Sequence, residues 1–134
     1  MDRIEITVEA TVNPTEDLGR VEKAIGAIVR ARSVEKIELG KESYLLRAQA
    51  QGLDALAPFQ AILRQDRIRD AARKILFSSI LEKKIQFYLN KQVAYVSHAS
   101  FSKSETESPL GSIKVEISCG SPESVIDWIT PRSR

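Results

Sequence analysis

Five basic residues, Arg64, Arg67, Arg69, Arg73 and Lys74, fall within eleven positions of this chain. On one helix, Arg64, Arg67 and Lys74 share a face with Asp70, and a row of that kind could follow a line of phosphates. Asp70 also sits three residues after Arg67 and four before Lys74, so a solvated, self-neutralising helix face uses the same residue types. Both readings stand on the sequence. A second polar group, Asn90-Lys91-Gln92, follows a short apolar run. Its amides offer donors and acceptors together and could read a splayed base or a sugar. The plainer alternative is that Asn90 caps a turn while Gln92 satisfies nearby backbone groups, and such residues recur at turns for that reason. Tyr88 completes the set. At strand spacing it faces away from Phe87, which leaves its ring open to stack on a base. Phe87 and Phe101 read as core.

No catalytic group can be assembled beside these residues. His98 has no nucleophile or carboxylate at a spacing that can be read, and Cys119 closes a strand, so both are expected to be packing residues. Gly40-Lys41-Glu42-Ser43 resembles the end of a phosphate loop only superficially, because Glu42 intervenes and position 35 is Glu35. One cysteine and one histidine leave no material for a zinc site or a disulfide framework. The expectation is a non-enzymatic domain with no metal and no cofactor.

The bulk properties fit. A chain of 134 residues can bury one core, and 43% hydrophobic with 28% charged residues is the balance of a globular domain. Net charge is +2, but residues 61–91 carry eight basic against three acidic side chains, leaving −3 for the remainder. Asp2, Arg3, Glu5 and Glu9 exclude a secretory apolar segment at the start. The run from Ile75 to Leu81 is far too short to span a bilayer. The expected setting is the cytoplasm, with no membrane contact.

The elements that must position these residues follow from periodicity. Ile4, Ile6, Val8, Ala10 and Val12 alternate with polar residues as a half-buried strand. Asn13-Pro14-Thr15-Glu16 reads as a helix start, with Asn13 as cap and Glu16 reaching back. The helix carries Leu18, Val21, Ile25, Ile28 and Val29 inward and Glu16, Asp17, Arg20 and Lys23 outward, to about Arg30. Gly19 and Gly26 imply close packing on a sheet. Val34 to Leu39 and Tyr44 to Gln51 form a hairpin turning at Gly40-Lys41-Glu42. Leu53 to Leu63 starts a helical region bent or restarted at Pro58. One long central helix then runs from about Phe59 to Leu81, with Ile68, Ala72, Ile75 and Ser79 inward. Ile85 to Leu89 is a short strand, and Asn90 to Tyr95 reads as a turn or one helical turn. Val96 to Phe101 and Ser112 to Cys119 read as a second hairpin across a polar loop, Ser102 to Gly111. A last helix opens at Ser121-Pro122-Glu123, and Arg132 to Arg134 reads as a frayed tail.

The order is β-α-β-β-α followed by a shorter β-α-β-β-α. It predicts a single α+β domain over 1–134, with helices packed on one face of a mostly antiparallel sheet in two layers.

Three stretches carry a family resemblance. They are Arg64…Arg67-Ile68…Asp70-Ala71-Ala72-Arg73, Phe87-Tyr88-Leu89-Asn90-Lys91-Gln92-Val93-Ala94-Tyr95, and Ser108-Pro109-Leu110-Gly111-Ser112-Ile113. Together with Asn13-Pro14-Thr15-Glu16 and Trp128…Pro131 they resemble the archaeal uncharacterised protein family 0201, a predicted RNA-binding or exosome-associated family. Val93-Ala94 and Ser97 depart from its pattern of two alanines and a common glycine. The resemblance implies a fold like the large-subunit ribosomal protein that holds 5S rRNA, and a homodimer. Strand edges that a two-layer sheet leaves unpaired point to a dimer as well. The expected function is binding of structured RNA, or of an RNA-processing assembly, through the basic central helix. The alternative is a homodimeric scaffold that never touches nucleic acid.

Overall fold

The computed structural model describes residues 3–102 and 111–132. Residues 103–110, most of the expected polar loop and with it Ser108-Pro109-Leu110, lie outside the described residues, as do 133–134 of the expected tail. The alternation that opens the chain becomes β1 (Glu5–Val12), whose residues Ile6, Val8, Ala10 and Val12 are buried. Helix α1 (Leu18–Gly26) follows, then the hairpin β2 (Ser33–Gly40) and β3 (Ser43–Gln51). Its two-residue turn puts Lys41 at φ 50° and Glu42 at φ 62°, the paired left-handed conformation that suits the twist of a tight hairpin. A 3-10 turn (Leu53–Leu56) leads into α2 (Ala57–Gln65), which restarts with Pro58 in its first turn, the second of the two expected outcomes there. Next come α3 (Arg69–Ser78), β4 (Ile80–Leu81), β5 (Lys84–Asn90) and α4 (Lys91–Tyr95). The chain finishes with β6 (Phe101–Ser102), β7 (Ser112–Ser118) and α5 (Pro122–Ile129).

All seven strands join one antiparallel sheet, ordered β2-β3-β1-β7-β5-β4, with β6 beside the other end of β5. Buried residues on β1, β3, β5 and β7 alternate with partly exposed ones, so the helices cover one face and leave the other open. Phe59 of α2 stacks on Phe87 of β5 at 5.5 Å between ring centroids, and Phe101 sits 5.6 Å from Phe87. This aromatic trio fastens the helical layer to the sheet. The two-layer α+β expectation holds.

Several local expectations do not. Among the described residues the expected second hairpin does not form: β6 is two residues long and pairs with β5, while β7 lies between β1 and β5. The cap of α1 is Asp17, whose Oδ1 accepts from the Gly19 N–H at 3.1 Å; Asn13 instead opens a turn. Asp17→Ala should therefore lower stability by about 1 kcal/mol, read as a fall in the urea midpoint at unchanged slope. The glycines of α1 serve no close packing, since a Cβ on Gly26 would meet nothing within 4 Å. Glu16 belongs to the interior, not to the solvent side.

The central helix is two helices. Asp66, Arg67 and Ile68 separate α2 from α3, and Arg67 is left-handed at φ 58°. The Ile68 N–H bonds back to the Leu63 carbonyl at 3.1 Å and the Arg67 N–H to the Arg64 carbonyl at 3.2 Å. That pair of bonds is a Schellman ending, with Arg67 where glycine is usual. On α3 the buried row is Ala72 and Leu76, while Ile75 is exposed. The inward stripe expected from an unbroken helix shifts because α3 starts afresh at Arg69.

Candidate nucleic-acid interface

The break at Arg67 gathers basic side chains that a straight helix would have strung out. Arg64 closes α2, Arg67 sits in the turn and Arg69 opens α3; with Asp70 they line one depression of about 170 Å³. None of the three arginines forms an ion pair with a carboxylate among the described residues. Asp70 shares the depression without pairing to any of them, and guanidinium donors left unpaired in this way can grip phosphate oxygens.

Arg73 and Lys74 do not join that row. Arg73 turns inward, pairs with Asp127 at 2.6 Å, donates to the Thr130 carbonyl at 3.0 Å and lies over the Phe77 ring at 4.9 Å. It clamps α3 to α5. Lys74 lines a neighbouring depression of about 640 Å³ with Asp70, Arg73, Phe77 and Arg132. Arg67 and Lys74 therefore do not share one helix face, contrary to the sequence reading, because Arg67 is off the helix.

The Asn90-Lys91-Gln92 group divides. Asn90 is the cap of α4, its Oδ1 accepting from the Val93 N–H at 3.0 Å, and Gln92 is exposed. Lys91 is 0% exposed. Its Nζ donates to the Thr11 carbonyl at 2.6 Å and to Glu16 Oε1 at 3.0 Å. Glu16 also accepts from the Tyr95 hydroxyl, from the Asn13 N–H at 3.0 Å and from Asn13 Nδ2 at 2.6 Å. Burial alone would raise the Glu16 carboxyl, but the Tyr95 and Asn13 hydrogen bonds and the Lys91 ammonium together hold it below the ordinary carboxylate value. Burial and the same Glu16 contact push the Tyr95 hydroxyl well above its usual range. Lys91 is thus a tie between α4 and the β1–α1 turn, and it offers no charge to a surface ligand.

Tyr88 faces opposite to Phe87, as expected, and lies on the open sheet face across from Lys114. Gln86 Nε2 donates to its hydroxyl at 3.2 Å. The cations of this face are largely spent on neighbours. Arg47 bridges Glu9 at 2.7 Å and Glu35 at 3.9 Å, and Lys84 meets Glu116 at 3.5 Å. The hydrogen bond to Glu9 holds the Arg47 guanidinium even more firmly protonated than usual. A phosphate arriving there would meet carboxylates, so the corner between α2 and α3 is the better anion site.

Sequence reasoning missed one contact beside that corner. His98 Nδ1 lies 2.8 Å from Asp66 Oδ1, and the Ala99 N–H donates to Asp66 Oδ2 at 3.2 Å. His98 is an exposed strut between the α4–β6 connection and the corner, not a packing residue. The two are 32 residues apart, so no spacing rule could pair them. Cys119 is buried, as expected. Among the described residues no three His, Cys, Asp or Glu side chains gather as a metal site, and no helix is long and apolar enough to cross a membrane.

The fold is that of a small α+β protein, an open antiparallel sheet under one layer of helices, and a family model described as RNA binding matches residues 5–119. A UPF0201 protein of Sulfolobus acidocaldarius is 43% identical over 96% of this chain and 88% of its own length, and one of Sulfurisphaera tokodaii is 40% identical over the same shares. The crystal structure of a UPF0201 protein from Methanococcus jannaschii superposes with a TM-score of 0.81 at 32% identity, covering 97% of this chain and 95% of that one. The chain belongs to the UPF0201 family.

Proposed function

We propose that this protein binds structured RNA without acting as an enzyme, and that the corner between α2 and α3 holds the phosphates. The observation that carries the reading is the convergence of Arg64, Arg67 and Arg69 on one depression, with no described carboxylate paired to any of them. The left-handed backbone at Arg67 supports it. A non-glycine residue costs about 1 kcal/mol or more in that conformation, and such strain gathers at functional sites. The family model's description points to the same class of ligand. An RNA-processing assembly in the cytoplasm, where Cys119 would remain a thiol, is the setting this reading gives the protein. A kinship of fold with the ribosomal protein that holds 5S rRNA belongs to the same reading.

Titrating a structured RNA hairpin at several salt concentrations tests it. Three phosphate contacts predict a log–log slope of about −2 to −3. Absence of binding at roughly physiological ionic strength, or a flat salt response, would overturn the reading.

A second reading, a homodimeric scaffold, has its own observation: β2 ends the sheet, and its outer edge meets no strand among the described residues. Self-association is compatible with RNA binding, since β2 and the arginine corner share no residue.

A further inference from the structure

Beyond the arginine corner, α3 lines a second depression, of about 640 Å³. Asp70, Lys74 and Phe77 follow one another at single helical turns along α3 and border it, with Arg73 beside them and Arg132 reaching in from beyond α5. Asp70 borders the corner as well, so the two depressions adjoin. Phe77 stands apart from the other aromatic residues. Phe59, Phe87 and Phe101 pack on one another between the helices and the sheet, and the Tyr44 ring lies under the Lys36 ammonium at 4.6 Å. Phe77 is 37% exposed. Its ring is held in place all the same. The Arg73 guanidinium lies 4.9 Å from the ring centroid, and Arg73 is itself fixed by Asp127 and by the Thr130 carbonyl. Lys74 and Arg132 pair with no carboxylate among the described residues.

We infer that this depression takes an unpaired nucleotide of the RNA whose stem lies at the corner, with its base stacked on Phe77 and its phosphate between Lys74 and Arg132. The inference rests on the RNA binding proposed above. A ring backed by a guanidinium and open to a depression is a platform for another flat group, and unpaired bases stack on aromatic rings and on arginine planes alike. Because Arg73 is clamped, the platform is set before the base arrives and little freedom is lost on binding. The charges around the ring favour a nucleotide over an apolar partner. An apolar surface seated on Phe77 would take Lys74 and Arg132 out of water with nothing to offset their charge, whereas a phosphate satisfies both. The distance suits a strand that continues from the stem. At 1.5 Å of rise per residue, Phe77 stands about 12 Å along α3 from Arg69. A base still paired and stacked in the stem presents no face to Phe77, so the site selects RNA in which a single-stranded tail leaves the paired region.

The test compares one RNA hairpin in three forms: blunt, with a short single-stranded tail on each end, and with the same tails made abasic. The full-length protein should bind the tailed hairpin at least about fivefold more tightly than the blunt one, and the abasic tails should give no such gain. Phe77→Leu should bring the ratio of the two affinities to about one, and Phe77→Tyr, which keeps a ring to stack on, should preserve it. The ratio is the readout because a general weakening of Phe77→Leu would leave it unchanged. A 2-aminopurine placed in the tail should lose fluorescence on binding wild type and not on binding Phe77→Leu. If neither hairpin binds, the RNA reading and this site fall together. If the blunt hairpin binds and the tails add nothing, the base site alone is overturned and the corner stands. Abasic tails that serve as well as intact ones, or a ratio that survives Phe77→Leu, would overturn the base site in the same way.

Discussion

Lys91→Met should unfold roughly 10–20 °C below wild type, a loss of about 3–5 kcal/mol for a chain of this size. The reason is what remains after the ammonium is gone. Glu16 stays buried under α4 with its hydrogen bonds to Tyr95 and Asn13 but without its counter-charge, and the Thr11 carbonyl loses the donor that Nζ provides. Uncompensated buried charge is among the few single-residue changes large enough to consume much of a domain's stability. The pair, not the lysine alone, sets the size. Adding Glu16→Gln to Lys91→Met removes the orphaned charge while keeping a partner for Tyr95, so the double variant should be less unstable than the sum of the singles. Acid gives an independent check. The folded Glu16 carboxyl lies below its ordinary value of 4.5. Its contribution is therefore complete above pH 4.5 and fades as pH falls through the lower, folded value. Without Lys91 the carboxyl loses part of what holds it low, while the Tyr95 and Asn13 hydrogen bonds remain, so protonation costs the variant less than it costs wild type. The gap between Lys91→Met and wild type should therefore narrow as pH falls below about 4.5, followed by thermal melts down through that range. A gap independent of pH would remove Glu16 from the account.

Reversing Arg64, Arg67 and Arg69 to Glu together should lower affinity for structured RNA by at least about 100-fold and abolish most of its salt dependence. The thermal midpoint should hardly move, because these side chains line a surface depression and hold no described ion pair. Arg73→Ala should do the opposite. It releases Asp127 and the Thr130 carbonyl, so stability falls while RNA binding of the folded fraction persists. Asp70→Asn should tighten binding by removing the one negative charge on the depression. Arg67→Gly is the sharpest single test. Glycine relieves the left-handed backbone and should stabilise the fold by about 1 kcal/mol, while the lost guanidinium weakens RNA binding. Opposite signs from one substitution cannot come from damage to the fold. If the triple reversal binds RNA as wild type does, the corner is not the site.

Features written locally in the chain were legible. Strict alternation marks β1, Gly40-Lys41-Glu42 marks the hairpin turn, and Phe87 beside Tyr88 assigns the two faces of β5. Asn90 caps a turn, which was the plainer of its two readings. The departures have non-local causes. Apolar spacing continues from Phe59 past Ile68, and the break between α2 and α3 bears an arginine where a glycine would have announced it. Lys91 and Glu16 read as surface charges because nothing near either shows a partner 75 positions away. The strand at β6 chooses β5 rather than β7, a choice made by β1, which already occupies the other side of β7. The candidate site was legible in composition and not in geometry: all three corner arginines were in view, but the corner that gathers them was not.

The position of β1 bears on how the chain comes off the ribosome. Residues 5–12 pair on one side with 44–51 and on the other with 114–118, so β1 borders a strand synthesised about a hundred residues after it. A nascent chain can close β1 against β3 and dock α1 early, since those contacts span few residues. It then carries a bare β1 edge through translation of some sixty further residues, until β7 emerges to fill the slot. Loop closure of that length makes insertion of β7 the slow, late step of folding. Until then the exposed flank of β1 is open to strands of neighbouring nascent chains.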